Sequence, residues 1–231
     1  MILGISAGAI VLGGAAHGAF HRNSPIFGTP ITRLRDGDRA VALTFDDGPN
    51  PDATPAILDA LGERGVKATF FILGRHAERW PELVARVARD GHSVGNHGYY
   101  HRKLHFKSPA YVRDDLRLGT ERIQSTTGRR PSFFRAPHGF RSPWVTPIAR
   151  SLGQRTVGWS LGVWDSDRPG VEAIAERTVT GARPGSILLL HDGDGYDPTG
   201  DCRQTAEALP GIIADVRALG YEFKPLTELM T

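Results

Sequence analysis

The chain has 231 residues, 40% hydrophobic and 23% charged, a balance that excludes general disorder and allows one large domain or two small ones. Its formal charge of +3 comes from arginines scattered among aspartates and glutamates, without the basic stripe a nucleic-acid binder carries, so no nucleic-acid partner is implied. Cys202 is the single cysteine, which excludes an intramolecular disulfide and a thiolate metal cluster and leaves histidines and carboxylates to build any metal site.

Met1 to Phe20 is apolar apart from Ser6 and His17 and rich in Gly and Ala. The run just reaches the ~20 residues needed to cross a bilayer, and no Lys or Arg precedes it. Export, membrane association through residues 1–20, and a plain leader all remain open on this pattern. Residues 21–38 contain Asn23, Pro25, Gly28 and Pro30 and read as a linker. The domain is therefore expected at 39–231, folding without Met1 to Pro30.

From Arg39 onward, apolar runs alternate with helical patterns. Val41 to Phe45, Val66 to Leu73, His92 to Gly95, Ser132 to Arg135, Thr156 to Trp159, Ser186 to Leu190 and Tyr221 to Phe223 read as strands. Helices are expected over Asp52 to Arg64, from Pro81 to Gly91, from Ser108-Pro109 to Gly128, from Ser142-Pro143 to Gly153, and over Val171 to Ala182 and Gln204 to Leu219. About seven strand-then-helix units imply parallel strands with crossover helices, hence an α/β barrel or a doubly wound sheet. The barrel is favoured because the out-of-place polar residues all follow strands: Asp46 and Asp47 the first, His97 the third, Arg135 the fourth, Asp165 the fifth and His191 the sixth. Loops after parallel barrel strands meet at one mouth, where such folds keep their chemistry.

Asp46 and Asp47 end the first apolar run, and Gly48-Pro49 stops it. Asp-Gly is ordinary turn chemistry, so the stretch alone reads equally as a turn or as a site where one carboxylate binds a cation and the other acts as a base. His97 and His101 lie four apart, and one turn of helix would present both on one side, as a metal site requires. With Asp47 they would complete three protein ligands and leave a position for water, the pattern of a catalytic zinc. His191 ends a buried strand and suits a general acid opposite a base, although strand ends are often polar. Arg135, taken alone, would be a plain ion-pair residue.

These pieces together resemble the NodB-homology polysaccharide deacetylases, a carbohydrate esterase family. Thr44-Phe45-Asp46-Asp47-Gly48-Pro49 matches the family's TFDDGP motif and His97 with His101 its paired-histidine motif; the resemblance spans roughly Arg39 to Leu229. It implies a distorted barrel of about seven parallel strands with a metal site at the C-terminal mouth. It further implies that Asp46 is the general base, oriented by Arg135, that Asp47, His97 and His101 hold a divalent metal, expected to be zinc, and that His191 is the general acid, tuned by Asp165.

The chain departs from the family pattern twice. His138 stands where the family has a Tyr whose backbone N–H serves the oxyanion; a backbone donor survives that exchange. The family's Asp-x-x-Asp-Trp motif appears as Gly162-Val163-Trp164-Asp165-Ser166, which leaves Trp159 or Trp164 to wall the acetyl pocket, with Leu189 also expected there. The expected activity is metal-dependent removal of N-acetyl groups from a peptidoglycan- or chitin-like polysaccharide or oligosaccharide, by an exported or surface-anchored protein. O-acetyl esterase action on a polysaccharide and hydrolysis of a non-sugar amide or imide are the alternatives. The complete set Asp46, Asp47, His97, His101 and His191 argues against a carbohydrate-binding protein that has lost catalysis.

Overall fold

Strand β1 (Ala40–Asp46) is buried along its whole length, yet its two faces differ. Val41, Leu43 and Phe45 pack into the core beneath the helices, while Ala40 and Ala42 join a second cluster on the inner face. A strand covered on both faces reads as a continuous apolar run, which is why β1 does not alternate in sequence. The computed structural model describes residues 13–34 and 39–229; Met1 to Leu12 of the leader and residues 35–38 lie outside the described residues. Residues 13–20 are helical, and no helix among the described residues is long and apolar enough to cross a membrane.

The remaining strands are β2 (Thr69–Ile72), β3 (Ser93–Asn96), β4 (Phe133–Phe134), β5 (Arg155–Thr156), β6 (Leu161–Gly162), β7 (Ile187–His191) and β8 (Glu222–Phe223). Their order is β5-β4-β3-β2-β1-β7-β6, with β8 pairing the start of β1, and every pairing of these strands is parallel. The helices Ala53–Glu63, Pro81–Arg89, Pro109–Thr127, Val145–Ser151, Val171–Gly181 and Arg203–Ala218 appear where the patterning places them, except that Val145–Ser151 starts past the Ser142-Pro143 signal, with Trp144 at its N-cap and no side-chain cap. Ser108 caps its helix as expected, its Oγ accepting the Tyr111 N–H, and Gly128 ends that helix with a φ of 73°. This is the expected α/β architecture, a curled barrel of parallel strands.

Two elements escape sequence patterning. Helix Gly74–Arg79 is under two turns, and β6 has two residues, so neither is long enough for a period to show. Strand β5 also ends at Thr156, short of Trp159, so Asp165 follows β6 rather than the fifth strand. The mouth assignment survives because β6 pairs in parallel with β7.

The expected linker is corrected. Ile31 bridges Val157 and Arg33 bridges Ser186, which ties this strap to both the β5 and the β7 sides of the barrel. Arg141, buried in the domain, donates to the carbonyls of Gly28 at 2.7 Å and Ser24 at 2.6 Å. Residues 22–34 therefore belong to the folded unit. The stretch looks like a linker because its contacts run through backbone groups, which leave no periodic trace in side chains.

Candidate active site

Strand parity builds the mouth. Asp46 and His191 are register partners at the ends of β1 and β7, each two residues beyond an inward-facing position, Thr44 and Leu189. His97 directly follows β3 and Arg135 directly follows β4. Asp46, Asp47, His97, His101, His138, Trp159, Trp164, Asp165, Leu189 and His191 all line one cavity of about 360 Å³. Arg135 is fully buried beneath it.

Asp47 turns into the site through a left-handed backbone, φ 73°. Its Oδ1 lies 3.2 Å from His97 Nε2 and 3.0 Å from His101 Nε2. His97 Nδ1–H donates to the Arg135 carbonyl at 2.9 Å, so the lone pair of neutral His97 sits on Nε2, toward Asp47. Asp47 Oδ1 is buried and no N–H satisfies it. An anionic oxygen and imidazole lone pairs gathered this closely repel one another unless a cation joins them, so Asp47, His97 and His101 form a set that could hold a metal ion. Burial opposes charge on Asp47, but His101 and His97 outweigh it and hold its carboxyl well below the usual range. Burial likewise opposes a charged His97, which Asp46 and Asp47 nonetheless favour.

The two histidines do not share a helix turn, contrary to expectation. They sit in a loop in which Gly98 and His101 have φ values of 80° and 57°. Asn96 Oδ1 accepts the Gly98 N–H at 2.9 Å and Asp115 Oδ1 accepts the Tyr100 N–H at 3.0 Å, so buried polar side chains replace helical hydrogen bonds. Gly195 presses on the other side of His101, where a Cβ would lie 2.0 Å from His101 Nδ1.

Arg135 donates through Nη1 to Asp46 Oδ1 at 2.7 Å and Thr44 Oγ1 at 2.8 Å, and through Nη2 to the Gly158 carbonyl at 2.9 Å. Its guanidinium lies 4.1 Å from the Phe71 ring centroid. Across the cavity, Asp165 accepts from both His191 Nδ1 and the His191 backbone N–H, and Thr205 holds the second carboxylate oxygen at 2.8 Å. Burial disfavours a charged His191, but Asp165 prevails and the pKa rises to about 10. His138 stands in a left-handed turn, φ 58°, its ring 4.6 Å from that of His101 and its Nε2 sharing a hydrogen bond with the Tyr196 hydroxyl. Burial, then His101, lowers its pKa to about 4, so the ring is neutral. Trp159 is buried in the wall and Trp164 exposed at the rim.

The polysaccharide deacetylase family model matches residues 33–157 of this chain. The chain belongs to the polysaccharide deacetylase family. The chitooligosaccharide deacetylase of Bradyrhizobium sp. (strain ANU 289) is 38% identical over 200 residues, covering 84% of this chain and 91% of that protein. A peptidoglycan-N-acetylglucosamine deacetylase of Bacillus cereus is 36% identical over 200 residues, covering 84% and 90%. Among solved structures, a peptidoglycan N-acetylglucosamine deacetylase in complex with 4-naphthalen-1-yl-N-oxidanyl-benzamide matches with a TM-score of 0.81 at 32% identity, over 86% of this chain and 91% of that one.

Sequence reasoning missed several residues that shape this site. Asp192 is buried, its Oδ2 accepting from Thr54 at 2.6 Å, and burial pushes its carboxyl up to about 7. It explains Gly48, where a Cβ would lie 2.1 Å from Asp192 Oδ2. Its place beside His191 was the available signal. Thr44, Asn96 and Thr205 also escaped, as did Arg22 and Asn23 in the strap, for which sequence patterning offers no signal.

Proposed function

We propose that this polysaccharide deacetylase hydrolyses the N-acetyl groups of N-acetylglucosamine-containing polymers or oligomers, of peptidoglycan or chitin-like type, outside the cytoplasm. The carrying observation is the register pair Asp46 and His191 facing one cavity with Asp47, His97 and His101 beside them. The family membership and the activities for which the relatives are named agree with it.

In this reading Asp47, His97 and His101 hold one divalent cation, zinc by the chemistry of a two-histidine, one-carboxylate set. Bound there, the cation supplies Lewis acidity to the acyl oxygen and to the attacking water. Asp46, kept in place by Arg135, takes a proton from that water. His191, kept protonated by Asp165, gives its proton to the nitrogen as the carbon–nitrogen bond breaks, so the amine leaves neutral rather than as an amide anion. The His138 backbone N–H serves as a donor to the developing oxyanion. Trp159 and Leu189 form the acyl recess, and Trp164 lies along the sugar.

Acetate release decides the matter. N-acetylglucosamine oligomers, peptidoglycan and acetylated xylan are incubated with zinc-loaded protein, and release is expected from the first two. Release from xylan alone would make the protein an O-acetyl esterase; release from none of them would leave the polysaccharide reading without support.

A further inference from the structure

The strap at residues 22–34 does more than close the barrel, because it converges on one side chain of the site. Asn23 Nδ2 donates to the Trp159 carbonyl at 2.7 Å, and the Arg22 guanidinium lies 5.7 Å from the Trp159 ring centroid and 4.8 Å from that of Trp164. Ile31 accepts the Gly158 N–H at 2.8 Å, and Gly158 in turn accepts from Arg135. The fit is close: a Cβ on Gly139 would lie 2.8 Å from both Arg22 Cβ and Trp159 Cη2, and one on Gly158 would lie 2.3 Å from Asn23 Oδ1. Arg141 fixes the strap through Ser24 and Gly28.

Trp159 in turn bounds a recess. A Cβ on Gly162 would sit 3.2 Å from Trp159 Nε1 and 3.9 Å from Leu189 Cδ2, so these three residues pack together in the wall of the cavity that Asp46 also lines. We propose that Arg22 and Asn23 set the acyl-group selectivity of the enzyme by fixing Trp159 as the wall of this recess. Both are specificity-determining residues, and both lie ahead of the segment matched by the family model, which begins at residue 33. Arg22 acts through its guanidinium placed over the indole and Asn23 by holding its backbone. Without them the indole can swing and the recess admits longer acyl chains. The inference rests on the deacetylase reading.

The test compares the full-length protein with Arg22→Ala, Asn23→Ala and Arg22→Lys. Each is assayed for kcat/KM on N-acetyl and N-butyryl glucosamine oligomers of equal length. Separately, acetate and butyrate binding to the zinc-loaded proteins is measured by calorimetry. In both alanine variants the butyryl-to-acetyl ratio is expected to rise by about tenfold or more, the scale on which a pocket discriminates added methylenes. The butyrate-to-acetate affinity ratio should move the same way, and Arg22→Lys, which keeps the cation but not the planar guanidinium, should fall between wild type and Arg22→Ala. Ratios unchanged within about twofold in folded, metal-loaded variants would overturn the proposal. Arg22 is only partly buried, so Arg22→Ala decides alone if Asn23→Ala is unstable. If wild type released no acyl group, the deacetylase reading would fail, and the carboxylate titrations would still decide this inference.

Discussion

Asp165 grips His191 twice, one carboxylate oxygen accepting Nδ1–H at 2.8 Å and the other the backbone N–H at 2.7 Å. The grip fixes the ring and favours its cation, against a burial that disfavours it, so the pKa stands at about 10 instead of the ordinary 6.5. A general acid must be protonated, so the rate should hold into alkaline pH and fall as His191 loses its proton. Asp165→Asn is expected to keep measurable activity with its alkaline limb moved to lower pH, read from a pH–rate profile. Stability follows the same sign: the raised pKa stabilises the fold fully below about pH 6.5 and loses that contribution as pH rises through about 10. An alkaline limb unmoved in Asp165→Asn would remove His191 as the titrating acid.

Asp46→Asn and His191→Ala should each retain the fold and bound metal yet lose about two to four orders of magnitude in turnover, the scale of a general base or acid. Circular dichroism and metal content establish the first half, acetate release the second. Near-wild-type rates on a substrate the wild type deacetylates would reduce Asp46 to a turn residue.

Arg135 bonds Asp46, Thr44 and Gly158 at once, and lysine cannot span all three. Arg135→Ala leaves a buried carboxylate unpaired and should cost about 3–5 kcal/mol in denaturant unfolding. Arg135→Lys should fold better but lose on the order of a hundredfold in turnover, since the base is no longer held in line.

Wild-type protein stripped with a chelator and reloaded with zinc should bind about one equivalent. His97→Ala combined with His101→Ala should abolish that binding; a full equivalent at unchanged affinity would place the metal elsewhere. Gly195→Ala, which forces a methyl against the His101 ring, should weaken zinc by about 10–100-fold, the usual effect of disturbing a ligand's supporting shell.

A chain beginning at His21 should unfold cooperatively near the wild-type midpoint. One beginning at Ile31 loses the carbonyls of Ser24 and Gly28 that satisfy buried Arg141, which costs about 1–3 kcal/mol or more for a charged donor. Thermal unfolding separates the two, and equal midpoints would show that Arg141 finds other partners.

The amino-acid sequence by itself determined the parallel α/β alternation, because buried strands and amphipathic helices are local patterns. It also singled out Asp46, Asp47, His97, His101 and His191 as candidates, because they stand at or just after strand ends in a recognisable order. Only the tertiary structure decided how they meet. That His97 and His101 converge from a loop depends on Asp115, which reaches across fifteen residues to the Tyr100 N–H, and on Asn96, which donates to the Leu116 carbonyl, contacts that no periodicity records. Gly48 and Gly195 are required by side chains far away in sequence, Asp192 and His101. Residues 22–34 looked like a linker because a strap held by backbone carbonyls and a buried arginine shows no hydrophobic period, and its partners Val157, Trp159 and Arg141 come next to it only once the barrel has closed.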